Sequence, residues 1–250
     1  MSSSDRMLAV LSLFSLDRRE VTVEEAAELL GSSLRTTYRY VRSLAAAGLL
    51  SPMRGGRYVL GPAAVQLDWL IRNTDPLTSA AGPAMSILAN TVQIPAVILL
   101  CRLYKNQVMC ISQLASGLPP FASSYQRGRP IPLFRGAASK SILASMPKRL
   151  VRQFYSQHRE EMAASGLGVS LLEVHATLSQ IREAGVCTTS SELDVGLTGL
   201  AAPLIGADSL PVGSLSIVVA EAKLTPDLET SVKHLLKAGA NQVSGTLQAL

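Results

Sequence analysis

The chain has 250 residues, of which 48% are hydrophobic, 16% charged and 4% aromatic, a balance that excludes a disordered protein and allows one large or two ordinary domains. The formal net charge of +5 and the pI near 9.3 permit a polyanionic partner. Three cysteines without a CxxC spacing, three scattered histidines and no apolar run of roughly 20 residues argue against a disulfide framework, a zinc site and a membrane span.

The first sixty residues are typical of short helices followed by a hairpin. Apolar side chains recur at helical spacing over residues 4–15, and no signal peptide is evident there. A second helix over residues 23–30 begins at a capping box, in which Thr22 precedes Glu25 by three positions. A tight turn then leads into a third helix. Two short helices joined by a three-residue turn predict a helix-turn-helix.

Residues 31–61 contain five arginines and no Asp, Glu or Lys. These arginines are Arg35, Arg39, Arg42, Arg54 and Arg57. The first three follow i, i+4, i+7 spacing, which places them on one side of the third helix. The last two flank Gly55-Gly56 between two strand-like runs, as expected of a basic hairpin. Charged helix faces are usually only solvated, but the helix-turn-helix, the hairpin and the absence of acids together favour double-stranded DNA as the partner.

A recognition helix enters the major groove by its N-terminal part, so the residues there are candidates for contact with base edges or phosphates. Arg35 and Arg39 suit bidentate contact with guanine, whereas Arg42 and Arg57 suit phosphates or the minor groove. Thr37 can instead face the core. The predicted DNA-binding set is Ser33, Arg35, Thr36, Thr37, Tyr38, Arg39, Arg42, Arg54 and Arg57.

The remainder predicts an α+β domain. A linker helix over residues 63–72 is followed at Asp75-Pro76 by a helix cap, which marks a domain boundary. Further helices are predicted at residues 76–91, 136–145, 147–155, 170–184 and from 225 onward. Strands are predicted at residues 96–103, 108–114, 186–191, 198–205 and 212–221, with residues 121–125 a candidate to resume the sheet. The predicted domains are residues 1–61, 62–75 and 76–250.

This order of parts resembles the IclR family of bacterial transcriptional regulators over essentially the whole length. Residues 22–50 and the run GGRYVLGP are similar to that family's winged helix-turn-helix. Residues 131–144 resemble its Pro-Leu to Gly-Lys-x-x-Leu-Ala segment, and ELDVGLTGLAAP at residues 192–203 resembles its Glu, Gly-Leu and Ala-Ala-Pro signature. The resemblance implies a winged helix-turn-helix joined by a linker helix to an α/β effector-binding domain with a curved antiparallel, GAF/PAS-like sheet.

The resemblance also implies function. It implies a cytoplasmic dimer or dimer of dimers that binds a pseudo-palindromic operator, responds to a small organic effector, regulates catabolic genes as repressor or activator, and needs no cofactor. The effector-binding residues carried over by the match are Ala137, Ala138, Leu197, Gly199, Ser216 and Val218. Thr189, Gly199 and Val218 stand where the family commonly has Asp, Cys and Ser, so we expect a larger, more apolar ligand than a small oxoacid, such as an aromatic acid.

An anionic ligand is favoured by the stretch between Asp75 and Glu160, which contains no acid and places Arg127 and Arg129 beside the predicted pocket loop. Two alternatives remain. One is a DNA-tethered enzyme that uses Ser139, Lys140 or Cys187, although no base stands at motif spacing. The other is a nucleoid-type protein that binds DNA without regard to sequence or metabolites. The sequence lacks the glycine-rich phosphate-binding motifs GxGxxG and GxxxxGK, so it gives no indication of a nucleotide cofactor.

Overall fold

The computed structural model describes residues 2–249, which fold into two compact units that divide between Thr74 and Asp75. Met1 and Leu250, the outer limits of the first and last predicted domains, lie outside the described residues. The helix predicted as a linker belongs to the first unit. Within the described part of the chain, no helix combines the length and the apolar content needed to cross a bilayer.

The first unit is a small helical domain with a three-stranded sheet. Its helices are α1 (Ser3–Ala9), α2 (Val23–Leu30), α3 (Leu34–Ala46) and α4 (Ala63–Thr74). Its strands are β1 (Val21–Thr22), β2 (Leu50–Pro52) and β3 (Arg57–Leu60), in the antiparallel order β1-β3-β2. Val10, Tyr40, Val41, Leu44 and Leu50 form its core. The fold is therefore the predicted helix-turn-helix, with β2 and β3 as the wing.

Local side-chain chemistry sets the ends of α2. Thr22 Oγ1 accepts a hydrogen bond from the Glu25 N–H at 3.2 Å, and Glu25 Oε2 accepts one from the Thr22 N–H at 2.8 Å. At the other end, Gly31 adopts a left-handed conformation with φ +57°, which glycine tolerates without steric cost. The predicted capping box is confirmed, and it fixes where the turn into α3 begins.

The second unit has one antiparallel sheet with helices on both faces. The helices are α5 (Pro76–Thr91), α6 (Gly136–Ala144), α7 (Lys148–Gln157), α8 (Arg159–Ala164), α9 (Leu171–Ala184) and α10 (Pro226–Gln248). The strands are β4 (Ala96–Tyr104), β5 (Gln107–Ser116), β6 (Pro130–Pro132), β7 (Cys187–Ser190), β8 (Leu197–Ile205) and β9 (Pro211–Ala220). Their order is β6-β5-β4-β9-β8-β7. The predicted α+β class is confirmed.

Strand alternation divides the interior of the second unit into two layers. On β9, Leu215 and Ile217 pack in the cluster formed with α5 and α10, whereas Val218 packs in the cluster formed with α6 and α9. The predicted strand at residues 121–125 is wrong, because that segment is a loop and β6 instead pairs with β5. The loop, residues 117–129, lies on the α6 side of the sheet, and its Tyr125 belongs to the hydrophobic cluster formed with α6 and α9.

Gly213 marks a close approach between neighbouring strands, where a Cβ atom would lie 2.1 Å from the Cys101 carbonyl oxygen. We expect Gly213→Ala to lower the free energy of unfolding by about 1–3 kcal/mol, because two paired strands must separate to admit the methyl group. The matched control is Gly245→Ala in α10, where a Cβ atom meets nothing within 4 Å. That change should stabilise the protein by roughly 0.5–1 kcal/mol. Urea unfolding curves that shift equally for both variants would contradict the packing described here.

Asp75 caps α5 and also forms an ion pair with Arg102. Its Oδ2 accepts hydrogen bonds from Thr78 N at 2.8 Å and Thr78 Oγ1 at 2.7 Å, and its Oδ1 accepts one from Arg102 Nη2 at 2.6 Å. Burial raises the Asp75 pKa, but the hydrogen bonds from Thr78 and the charge of Arg102 outweigh it, so the pKa lies below its usual value of 3.8.

A pKa that folding lowers contributes stability above the unfolded-state value and loses it as pH falls through the folded-state value. At pH 7 we expect Asp75→Asn, which keeps a capping oxygen, to be less stable than wild type by about 1 kcal/mol, the upper end for a partly exposed pair. The difference should shrink as pH falls below 3.8. Unfolding curves at pH 7 and pH 2.5 that show the same difference would refute the assignment.

Candidate DNA-binding surface and ligand cavity

Helix α3 has one buried side and one charged side. Tyr40, Val41 and Leu44 lie in the core of the first unit. At its start, Ser33 Oγ accepts a hydrogen bond from Thr36 N at 3.3 Å and caps the helix. The opposite side is exposed and carries Arg35, Tyr38, Arg39 and Arg42. The spacing of the arginines therefore produces the single basic face that the sequence predicts.

The wing adds two arginines in different environments. Gly55 and Gly56 both have positive φ, +76° and +73°, and form the turn between β2 and β3. Arg54 is exposed, whereas Arg57 Nη1 donates a hydrogen bond to Glu20 Oε1. Among residues 2–249, Arg54 and the three arginines of α3 form no ion pair. The charges of these four arginines are therefore available to an external anion, whereas the charge of Arg57 is already paired with Glu20.

A groove of about 910 Å³ separates α3 from the wing. Its walls come from the start of α2, the exposed side of α3 and the wing turn. The lining residues are Val23, Glu24, Leu34, Arg35, Tyr38, Arg39, Gly55, Gly56 and Tyr58. Arg35 and Arg39 therefore line a groove between the helix and the wing.

Thr37 is a correction to the predicted DNA-binding set. The residue is fully buried, and its Oγ1 donates to the Ser33 carbonyl oxygen at 3.2 Å and lies 2.6 Å from Ser32 Oγ. It lies three residues before Tyr40 and seven before Leu44, on the buried stripe of the helix. The prediction that Thr37 contacts DNA is wrong, and its hydroxyl instead joins the turn to the helix.

The second unit contains a narrow cavity at the start of α6. It lies against β7, β8 and β9 and beneath two loops, residues 117–129 and residues 191–196. Its lining residues are Ser123, Tyr125, Ala137, Thr189, Glu192, Leu193, Asp194, Leu197, Gly199 and Val218. The free space is about 280 Å³, but only about 20 Å³ of it admits the centre of a water-sized sphere.

Five predicted effector-binding residues line this cavity, namely Ala137, Thr189, Leu197, Gly199 and Val218. Four others do not line it, and their role in ligand binding stays a prediction. Ala138 follows Ala137 by about 100° of helix rotation and packs in the core, and Ser216 is buried with its Oγ 3.3 Å from Ser214 Oγ. Arg127 Nε donates to the Ile111 carbonyl oxygen at 2.6 Å, and Arg129 is exposed.

Sequence reasoning missed the carboxylates of the cavity. Glu192 Oε1 accepts a hydrogen bond from Gly136 N at 3.1 Å, and its Oε2 accepts one from Lys140 Nζ at 2.8 Å. Lys140 Nζ also donates to the Ser165 carbonyl oxygen at 2.7 Å. Only 7% of Lys140 is exposed, so the pair is largely dry. A lysine inside an otherwise apolar helical run was the available signal, because buried lysines are paired.

The second carboxylate joins the two loops over the cavity. Asp194 Oδ2 accepts a hydrogen bond from Ser124 N at 2.8 Å, and its Oδ1 accepts one from Ser124 Oγ at 2.5 Å. The next residue, Tyr125, donates from its hydroxyl to the Arg135 carbonyl oxygen at 3.3 Å, and burial raises its pKa. Ser139, in the first turn of α6, is fully buried; its Oγ makes no well-formed hydrogen bond among the described residues, but it lies near the Tyr125 phenol and partly offsets the rise in the Tyr125 pKa.

The three cysteines are buried, and a hydrogen bond with Cys101 lowers the pKa of Cys110 despite its burial. Burial raises the pKa of Cys187 to about 12, which leaves its thiol protonated at neutral pH. A hydrogen bond with Cys110 and burial raise the pKa of Cys101. Within the described part of the chain, no three His, Cys, Asp or Glu side chains form a cluster able to hold a metal ion.

A winged helix-turn-helix with an unpaired arginine face, followed by an α/β unit with an internal cavity, defines the class of the protein as a DNA-binding transcriptional regulator. Comparison with known families then identifies it more closely. Residues 3–52 match the IclR helix-turn-helix domain, and residues 71–245 match the domain described as bacterial transcriptional regulator IclR C-terminal. The chain belongs to the IclR family.

Similar proteins span the same length. The HTH-type transcriptional regulator KipR of Bacillus subtilis (strain 168) is 26% identical over 245 residues, which cover 96% of this chain and 94% of KipR. The crystal structure of an IclR transcriptional regulator from Alicyclobacillus acidocaldarius superposes with a TM-score of 0.78 at 21% identity, covering 98% of each chain. An IclR homologue from Microbacterium hydrocarbonoxydans, crystallised with 4-hydroxybenzoate, has a TM-score of 0.73 at 19% identity and covers 100% of both chains.

Proposed function

We propose that this regulator binds a pseudo-palindromic operator as a dimer or dimer of dimers, and that a small, fairly apolar organic acid in the cavity controls its affinity for DNA. The observation that carries the proposal is the face of α3, where Arg35, Arg39 and Arg42 are exposed and form no ion pair among residues 2–249. Nothing in the fold of the first unit requires these charges, so they serve a partner. Arg35 and Arg39 are assigned to base edges, and Arg42 and Arg54 to phosphates.

The ligand class follows from the composition of the cavity. Ala137, Leu197, Gly199 and Val218 form an apolar wall, which favours a hydrocarbon body. The adjacent start of α6 is already bound by a carboxylate, because Glu192 Oε1 accepts a hydrogen bond from Gly136 N, so the cavity favours the hydrocarbon body and does not itself explain an acid group. The relative crystallised with 4-hydroxybenzoate supports the same class.

Helix α4 supports self-association. It has no buried residue, although half of its sequence is apolar. Its exposed apolar side chains, with their exposed fractions, are Val65 71%, Leu67 52%, Trp69 62%, Leu70 41% and Ile71 48%. Five exposed apolar side chains on one short helix favour an interaction site, and a second copy of the chain is the partner that a two-fold operator requires.

We further propose that the protein acts by binding and not by catalysis, in the cytoplasm and on catabolic genes. The three side chains of the enzymatic alternative are poorly suited to chemistry. Ser139 is fully buried, Lys140 is held by Glu192 and the Ser165 carbonyl oxygen, and the Cys187 thiol has a raised pKa. Regulators of this type commonly lie beside the catabolic genes that they control, which is the basis for the proposed targets.

Selection of bound duplexes from a random pool tests the DNA half of the proposal. We expect a two-fold symmetric operator bound typically 10³- to 10⁷-fold more tightly than random DNA at physiological salt. A panel of aromatic and aliphatic carboxylates in a thermal-shift assay tests the ligand half. Binding that ignores sequence and every acid in the panel would favour the nucleoid-type alternative.

A further inference from the structure

The cavity is narrower than the proposed ligand class. A cavity that binds benzene has a volume on the order of 150 Å³. Here only about 20 Å³ admits the centre of a water-sized sphere. The missing side chain at Gly199 leaves little extra volume. A Cβ atom there would already be in van der Waals contact, 3.5 Å from the Ala137 Cβ and 3.6 Å from Thr189 Oγ1. Something other than the apolar wall fills the space that an aromatic ring needs.

Tyr125 is the aromatic residue that lines the cavity, and it is only 5% exposed. Its phenol runs to the start of α6, where its hydroxyl donates to the Arg135 carbonyl oxygen at 3.3 Å. A Cβ atom at Gly136 would lie 2.5 Å from the Tyr125 hydroxyl oxygen and 2.5 Å from Leu193 Cδ1, so these two side chains share the space at the start of the helix. The glycine is required there by its φ of +77° as well as by this contact.

The environment of the phenol suits a second phenolic hydroxyl. The ring lies beside the apolar wall, and its oxygen donates to the Arg135 carbonyl oxygen at the start of α6. Ser139 Oγ in the first turn of that helix is buried close to the same phenol, so it is a polar atom that a replacing hydroxyl would also meet. A ligand with one aromatic ring and one hydroxyl group, such as 4-hydroxybenzoate, carries both features of the phenol.

We propose that Tyr125 is the selectivity residue of this cavity. Its phenol occupies the space that the aromatic ring of a bound ligand takes, and the ligand binds by displacing the phenol. This inference rests on the proposed function. The Ser124–Asp194 hydrogen bonds hold the Tyr125 loop closed, since they tie residues 117–129 to residues 191–196. Binding therefore selects monocyclic aromatic ligands that carry a hydroxyl group, whose ring and oxygen match the space that the phenol vacates.

Displacement lowers the apparent affinity, because only the fraction of molecules with this space open binds ligand. Removing the phenol removes that competition. We expect Tyr125→Ala to bind benzoate and 4-hydroxybenzoate about tenfold more tightly than wild type. Tyr125→Phe keeps the ring but loses the hydrogen bond to the Arg135 carbonyl oxygen, so its gain should be smaller. Ser124→Ala leaves Tyr125 intact, loosens the loop and should bind both acids roughly threefold more tightly.

Isothermal titration of the full-length protein with benzoate and 4-hydroxybenzoate provides the test. Phe121→Ala is the matched control, since Phe121 is partly buried in the same loop but does not line the cavity, and its affinities should equal those of wild type. Unchanged affinity in both Tyr125→Ala and Ser124→Ala, with wild type binding the acids, would overturn this inference alone. Failure of wild type and every variant to bind either acid would overturn the proposed ligand class and this inference with it.

Discussion

Replacing Arg39 by alanine is expected to weaken binding to the selected operator by about 1–3 kcal/mol, or roughly 5- to 150-fold, while binding to random duplexes changes little. Arg39 is exposed on α3 and lines the groove between that helix and the wing. An unpaired guanidinium at that position can make a bidentate contact with guanine. Loss of one base contact removes sequence discrimination but leaves the phosphate contacts in place.

The wing and an arginine of the second unit supply the controls for this prediction. Arg54→Ala should weaken specific and random binding equally and reduce the salt dependence by about one counterion. Arg57→Ala should have a smaller effect, because part of its charge is already satisfied by Glu20. Arg149→Ala, which removes an exposed arginine of the second unit, should change neither. Equal losses for Arg39→Ala on operator and random DNA, measured by fluorescence anisotropy, would show that Arg39 does not read bases.

Replacing Lys140 by methionine is expected to lower the free energy of unfolding by roughly 3–5 kcal/mol, the largest effect that we predict on stability. The side chains of Lys140 and Glu192 are only 9% and 19% exposed. The variant leaves the Glu192 carboxylate without its cation and the Ser165 carbonyl oxygen without a donor. An unpaired charge in a dry site costs far more than the pair itself contributes.

The double variant Lys140→Met/Glu192→Gln separates the lost pair from the stranded charge. The glutamine side chain that it introduces still offers an oxygen to Gly136 N but carries no charge, so we expect the double variant to recover much of the loss. Lys233→Met breaks a pair whose side chains are 39% and 31% exposed and should cost no more than about 1 kcal/mol. Urea unfolding in which Lys140→Met and Lys233→Met cost the same would contradict a buried pair.

The structure of the first unit could be predicted because it depends on contacts between residues that are close in the sequence. The Thr22–Glu25 capping box and the spacing of the α3 arginines act within one or two helical turns, and the structure places them as the sequence pattern indicates. Thr37 shows the limit of that reasoning. It lies on the edge of the buried stripe, and only the packing of the core decides that its side chain faces inward.

The cavity was only partly predictable, because its contacts join distant segments. Lys140 and Glu192 are 52 positions apart, and Ser124 and Asp194 are 70 positions apart. The periodicity of hydrophobic residues gives no information about pairs so far apart in the sequence. Local charge did not locate the cavity, since Arg127 and Arg129 do not line it and the Arg127 Nε donates to a β5 carbonyl oxygen. The family resemblance located the apolar wall, but the two loops and Tyr125 emerged only from the fold.

The central claim is that a ligand in the second unit changes DNA binding by the first. The most direct test is the affinity for the selected operator, measured by fluorescence anisotropy at fixed salt with and without saturating 4-hydroxybenzoate. We expect a change of roughly 5- to 150-fold, the range of a typical allosteric coupling, and no change in Gly199→Val, whose side chain extends into the cavity. An operator affinity that stays constant while titration shows the acid bound would contradict the account.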